Sequence, residues 1–111
     1  MGQLKKYRQI LHQYLIHRAS LKLATSPNAK PHLIIDQEKD EYIFLWIGWS
    51  EAKYKHSLMF HFQIIDGKIW IHENRTDIDL IKVFLEKGVA KSDIVLGFVA
   101  PYLRETGKMA A

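Results

Sequence analysis

The chain has 111 residues, 48% of them apolar and 25% charged, with a net charge of +4 and no cysteine. That balance describes one folded domain over residues 1–111 and excludes disorder, structural disulfides, thiolate zinc sites and cysteine nucleophiles. The longest apolar run, Tyr42–Trp49 (YIFLWIGW), is far shorter than the roughly 20 residues a membrane-spanning helix needs. Arg8, Gln9, His12 and Gln13 interrupt the N-terminal stretch, unlike a signal peptide, and Lys6 stands where myristoylation at Gly2 requires Ser or Thr. The expectation is a cytoplasmic protein.

Leu4 to about Leu23 reads as an amphipathic helix. Leu4, Tyr7, Ile10, Leu11, Tyr14 and Leu15 recur at helical spacing on one face, with Lys5, Gln9, His12 and Gln13 opposite. No acid lies in this stretch, so the helix has no internal ion pairs and depends on packing. Charge is uneven along the chain: up to Ile35 the sequence holds Lys5, Lys6, Arg8, Arg18, Lys22 and Lys30 and no acid, whereas Asp36–Ala111 holds more acids than bases. This basic segment either contacts nucleic acid or neutralises the cluster Asp36, Glu38, Asp40 and Glu41 within the fold or in a second subunit. Thr25–Pro31 (TSPNAKP) is a loop.

From His32 the period changes to two. Strands are predicted over His32–Gln37, Glu41 or Tyr42 to Trp49, Tyr54–Ile65 and Lys68–Glu73, joined by turns at 38–41 and 50–53 and by Asp66-Gly67. The last pair suits a two-residue type I′ turn, because Asp and Gly tolerate positive φ. Four sequential strands on short turns make an antiparallel meander. Thr76 is the expected cap of a second helix, with Asp79 in the capping-box position, Ile78, Ile81 and Leu85 on its inner face and Gly88 at its C-terminal end. Lys91–Phe98 reads as a short helical turn followed by extended chain, and Pro101–Ala111 as a polar tail. The fold class is α+β.

Counting outward from Asp66-Gly67 pairs Ile64 with Ile69, Gln63 with Trp70, Phe62 with Ile71 and His61 with His72. One face then carries Leu58, Phe60, Phe62, Ile64, Ile69 and Ile71, and the other Ser57, Met59, His61, Gln63, Trp70 and His72. An opposed His pair supplies only two zinc ligands, and Glu73, next along the strand, is expected on the opposite face. The glycines Gly48, Gly67, Gly88 and Gly97 stand apart and build no phosphate cradle. The residues therefore predict no catalytic, metal or cofactor site and no small-molecule substrate.

The second strand is apolar on both faces, with Tyr42, Phe44 and Trp46 on one and Ile43, Leu45, Ile47 and Trp49 on the other. Helices on one side of a meander leave the other side to be covered by a curl of the sheet or by another chain. The expectation is a homodimer or obligate complex, with Trp46, Trp49, Met59, His61, Trp70 and His72 as interface candidates.

The run Asp66-Gly67-Lys68-Ile69-Trp70-Ile71, then Asn74, Thr76, Gly88-Val89, Asp93-Ile94-Val95-Leu96-Gly97-Phe98, Pro101 and Arg104, resembles the XisI family. Tyr7-Arg8-Gln9-Ile10 and Gly48-Trp49 extend the likeness over nearly the whole chain, with Ala90 where Pro is expected. That family is named for a controlling factor in excision of the fdxN element, a DNA segment cut from cyanobacterial chromosomes during heterocyst development. The resemblance implies an α+β domain with a half-barrel sheet, often dimeric, acting beside a nuclease-like XisH partner, and it assigns no catalytic residues. Two alternatives are a direct DNA-binding module, with Lys5, Arg8, Arg18, Lys22 and Lys30 on phosphates, and antitoxin-like restraint of the partner. A small hydrolase or nuclease built on His61 and His72, with Glu73 as a further candidate, is the third.

Overall fold

The structure, a computed structural model, describes residues 2–21 and 28–105, with Arg104 and Glu105 described by backbone alone. Helix α1 (Gly2–Ser20) is followed by strands β1 (Lys30–Asp36), β2 (Glu41–Ser50), β3 (Lys53–Ile65) and β4 (Lys68–Asn74). Helix α2 (Leu80–Glu86), a 3₁₀ turn (Lys91–Asp93), strand β5 (Ile94–Leu96) and the short helix α3 (Pro101–Glu105) complete it. The sheet runs β1-β2-β3-β4-β5.

The antiparallel meander of the first four strands is present, but the extended chain after the 3₁₀ turn becomes a fifth strand. It joins β4 in parallel, with Ile69 opposite Ile94 and Ile71 opposite Leu96. A three-residue strand is too short to announce itself by alternation, and its pairing partner was invisible along the chain. Strand β1 also starts at Lys30, inside the expected loop. Pro31 is tolerated there because β1 is an edge strand and needs no donor on its outer side.

Asp66 and Gly67 have φ of 52° and 76°, the positive pair of a type I′ turn. The predicted register holds from Ile65 to Phe62 and then slips, so that His61 lies opposite Glu73 and His72 is an extra residue in β4. A second slip, between β2 and β3, leaves Phe44 opposite Phe60 but Leu45 opposite Leu58, with Met59 the extra residue. Each bulge flips the strand beyond it. Leu58 therefore shares a face with Leu45, and Met59 packs against the core, the reverse of the predicted assignment.

The core lies between the helices and one face of the sheet. From α1, Tyr7, Leu11, Tyr14 and Leu15 are buried as predicted. Tyr14 meets Phe60 and Phe84 edge-on at 5.8 and 5.9 Å, and Phe84 meets Phe62 at 5.5 Å, so three elements share one aromatic cluster. Such pairs add about 0.5–1.5 kcal/mol each beyond area burial. Helix α2 starts later than predicted. Asn74 Oδ1 accepts from the Thr76 amide, and Thr76 Oγ1 accepts from the Ile78 amide, so these side chains fold the approach to the helix rather than capping it. Asp79 is the cap, accepting from the Lys82 amide at 3.1 Å. The buried residues of α2 are accordingly Leu80 and Phe84, while Leu85 is exposed.

Gly88 closes the helix at φ 99°, with its amide donating to Leu85 and that of Val89 to Phe84, a Schellman arrangement with Val89 buried. The first residues of α1 are held by polar contacts. Tyr7, 1% exposed, donates its hydroxyl to Asp93 Oδ2 at 2.6 Å and accepts from the Ala90 amide at 3.3 Å. Gln3 donates to the same carboxylate at 2.8 Å. Tyr7→Phe removes the donor to a carboxylate and strands the Ala90 amide. It is expected to cost about 1–2 kcal/mol, read as a lower urea midpoint at constant slope; an unchanged midpoint would show the contact to be idle.

Candidate functional site: the outer face of the sheet

Opposed residues of an antiparallel pair share a face. With Tyr42, Phe44, Trp46, Phe60 and Phe62 buried against the helices, the register places His32, Ile34, Ile43, Leu45, Ile47, Trp49, Tyr54, His56, Leu58, His61, Gln63 and Trp70 on the other side. Ile34 is 52% exposed and Trp49 58%, whereas Ile43, Leu45, Ile47 and Leu58 are half-buried. The sheet is open, β1 to β5, and the middle of this face is partly sheltered without being buried.

The interface candidates divide accordingly. Trp46 is 7% exposed and belongs to the core, stacked edge-on against Phe44 at 5.4 Å, because β2 points its even-numbered side chains toward the helices. Met59 leaves the outer face through its bulge. Trp49, His61, Trp70 and His72 remain on it.

At one end of this face is a polar cluster. His61 Nε2 donates to Glu41 Oε1 at 2.9 Å, His72 Nε2 donates to Gln63 Oε1 at 2.9 Å, and the two imidazole centres lie 4.9 Å apart. The histidines were expected to meet as a direct cross-strand pair; the bulge sets them diagonally instead and brings Glu73 into register with His61. Gln63 lies on the predicted face; Glu41 was not anticipated there. They are opposed in the β2–β3 ladder, one step along the same face from Ile43 and His61, which becomes visible only once the β2–β3 bulge is counted. Gly97 fits against this cluster because a Cβ there would sit 2.9 Å from His72 Nδ1.

Among the described residues no three His, Asp or Glu side chains are grouped to hold a metal. Both histidines spend Nε2 on a neighbouring side chain, and the arrangement is a hydrogen-bonded polar patch beside an apolar surface.

Burial pushes the His72 imidazole below the ordinary value of 6.5, with His61 adding to the effect and Glu41 opposing it. Its proton is thus bound more weakly folded than unfolded. The stabilisation is full above pH 6.5 and is lost as pH falls through the depressed folded value. His72→Gln, which keeps a hydrogen-bonding group toward Gln63, should flatten the decline in urea midpoint between about pH 7 and pH 5 relative to the parent protein. Superimposable profiles would show that His72 titrates freely.

The basic N-terminal residues are differently placed. Arg8 makes a two-pronged ion pair with Asp40, Nε to Oδ1 at 2.7 Å and Nη2 to Oδ2 at 3.1 Å, one contact between the basic segment and the acidic cluster within the fold. Lys6 Nζ reaches the Gly88 carbonyl at 3.3 Å. Lys5 is exposed on α1, Arg18 is half-buried, Lys30 is exposed on β1, and Lys22 lies outside the described residues. These side chains do not form one basic stripe among the described residues: Lys30 sits on the outer face, opposite Ile47, while Arg8 is turned to the β1–β2 turn.

The model of the XisI protein family matches residues 1–111. The chain belongs to the XisI family. A XisI-like protein from Anabaena variabilis ATCC 29413 has the same fold, with a TM-score of 0.84 and 34% identity over 93% of this chain and 94% of that one. The fdxN element excision controlling factor XisI from Anabaena variabilis ATCC 29413 is similar at a TM-score of 0.73 and 31% identity over 94% of each chain. No curated protein matches the chain. The likeness to the XisI family read from DGKIWI and DIVLGF is thus shown over the full length.

Proposed function

We propose that this XisI-family protein is a non-enzymatic accessory factor in programmed DNA excision, acting through protein contacts made by the outer face of its sheet. The observation that carries this reading is the row Ile34, Ile43, Leu45 and Leu58 at the centre of that face, apolar yet half-buried or exposed, outside the core built with α1 and α2. An apolar sheet face left to water is costly and invites association. The occupants that fit are a second copy of the chain, making a homodimer, and a XisH-like protein partner. Restraint of a nuclease-like partner, in the manner of an antitoxin, would use the same surface. Work on chromosomal DNA places the protein in the cytoplasm.

The surface suits recognition as well as burial. The Glu41–His61 and His72–Gln63 pairs lie beside the apolar row, each held by a hydrogen bond within the chain. Contact at such a patch combines an apolar centre with polar groups of fixed geometry, the pattern of specific protein interfaces.

At micromolar concentration the protein is expected to sediment at twice its monomer mass, and mixing with a XisH-like partner should give a co-migrating species on a sizing column. Ile43→Glu with Leu45→Glu puts two charges at the centre of the face without touching the buried core. This pair should abolish both associations while leaving the circular dichroism spectrum unchanged. A compact monomer that does not migrate with the partner would refute the reading.

A further inference from the structure

We infer that the free tip of the β2–β3 ribbon is a platform for unpaired nucleic-acid bases, a site separate from the central apolar row. Beyond Lys30–Ile47 strand β1 no longer accompanies β2, and beyond the Arg75 amide bonded to the Met59 carbonyl β4 no longer accompanies β3. Among the described residues the sheet is therefore two strands wide from Gly48 to Lys55. Gly48 is needed where the ribbon departs: it adopts φ 148°, and a Cβ there would meet the Asn28 carbonyl at 2.8 Å.

On this ribbon the outer face is a row of rings. Trp49 and Tyr54 oppose one another at 5.3 Å between centres, and Tyr54 lies nearly parallel to His56, 17° between planes at 6.5 Å. Trp49 is 58% and Tyr54 51% exposed, and His56 is exposed as well. Among the described residues neither the core nor a further strand uses these rings. Lys30 lies on the same face as the row, in register with Ile47 and His56, while Lys53 and Lys55 alternate with Tyr54 and His56 along β3 and meet the rings at the strand's edge. That edge carries a polar hollow of about 540 Å³ lined by Ser50, Glu51, Lys53, Tyr54, Lys55, His56 and Ser57.

Exposed rings beside cations are the chemistry of single-strand binding. Bases stack on aromatic faces irrespective of sequence, and ammonium groups neutralise the backbone that runs alongside. A duplex keeps its base faces covered, so it offers these rings nothing, whereas strands opened during a DNA rearrangement do. This site differs from the basic N-terminal segment, where Arg8 is already held by Asp40. It also stands independently of the outer-face reading, since the tip extends past β1 and β4 and the central row can be covered with the tip uncovered.

The test uses the full-length protein with a fluorescein-labelled thymidine oligonucleotide of about 15 nucleotides and a duplex of the same length, followed by anisotropy and by quenching of tryptophan emission. The single strand should bind more tightly than the duplex, with a slope of log affinity against log salt near −2 if each of the three lysines neutralises one phosphate at roughly 0.7 apiece. Trp49→Ala and Tyr54→Ala should each weaken binding by about 5- to 150-fold, and Trp49→Phe should restore most of the loss. Both sites are exposed, so these variants are expected to keep the parent's sedimentation and circular dichroism. No single-strand binding at low salt, preference for duplex, or affinity indifferent to both alanine substitutions would overturn the proposal. So would alanine variants that lose self-association or a protein partner while binding the oligonucleotide normally, since the tip would then be a protein contact.

Discussion

Strand β2 is the constraint on which the rest of the molecule depends. Its side chains are apolar in both directions, and the sheet can bring helices to only one of them. Tyr42, Phe44 and Trp46 join Phe60, Phe62 and Phe84 beneath α1 and α2, the largest block of aromatic surface in the core. Ile43, Leu45 and Ile47 are carried to the opposite face by the same alternation. A strand buried on one side cannot slip by one residue without exchanging the two sets, so the register that makes the core also presents the outer row.

The two bulges resolve a conflict written into the chain. Counting outward from the turn after Ser50 would set Met59 opposite Phe44 and Phe60 opposite Ile43. That register puts the aromatic rows of β2 and β3 on opposite faces. One extra residue at Met59 brings Phe44 against Phe60, and the core closes. The slip at His72 likewise separates Ile71, which faces the core opposite Phe62, from Asn74, whose amide donates to the Ile78 carbonyl on the approach to α2. The polar cluster is completed by the Met59 bulge, which brings Glu41 opposite Gln63 on the face of His61.

Most of the fold was legible in the sequence because its signals are local. The helical spacing of Tyr7, Leu11, Tyr14 and Leu15, the Asp66-Gly67 turn and Gly88 each act through their own neighbours. What escaped was non-local. The parallel strand Ile94–Leu96 needs β4 to define it, and the cap at Asp79 depends on Asn74 and Thr76 having folded the preceding chain into turns. The outer face was legible as a class of surface from the two-sided β2, yet two of its six named residues, Trp46 and Met59, proved to be core-facing. The face of Trp46 could have been settled by parity with Phe44; that of Met59 could not, without the bulge. Arg8 shows the same limit for charge, since only the folded β1–β2 turn brings Asp40 to its guanidinium.

The chain belongs to the XisI family, and the proposed role rests on what its outer sheet face exposes. The central claim is that the outer apolar row is covered in solution. Hydroxyl-radical footprinting at micromolar protein reads this residue by residue. Ile34, Ile43, Leu45 and Leu58 should react far less than their accessibility in the single chain allows, while Phe98 and Tyr102, exposed elsewhere, react fully. Oxidation of that row in proportion to its single-chain exposure would contradict the account.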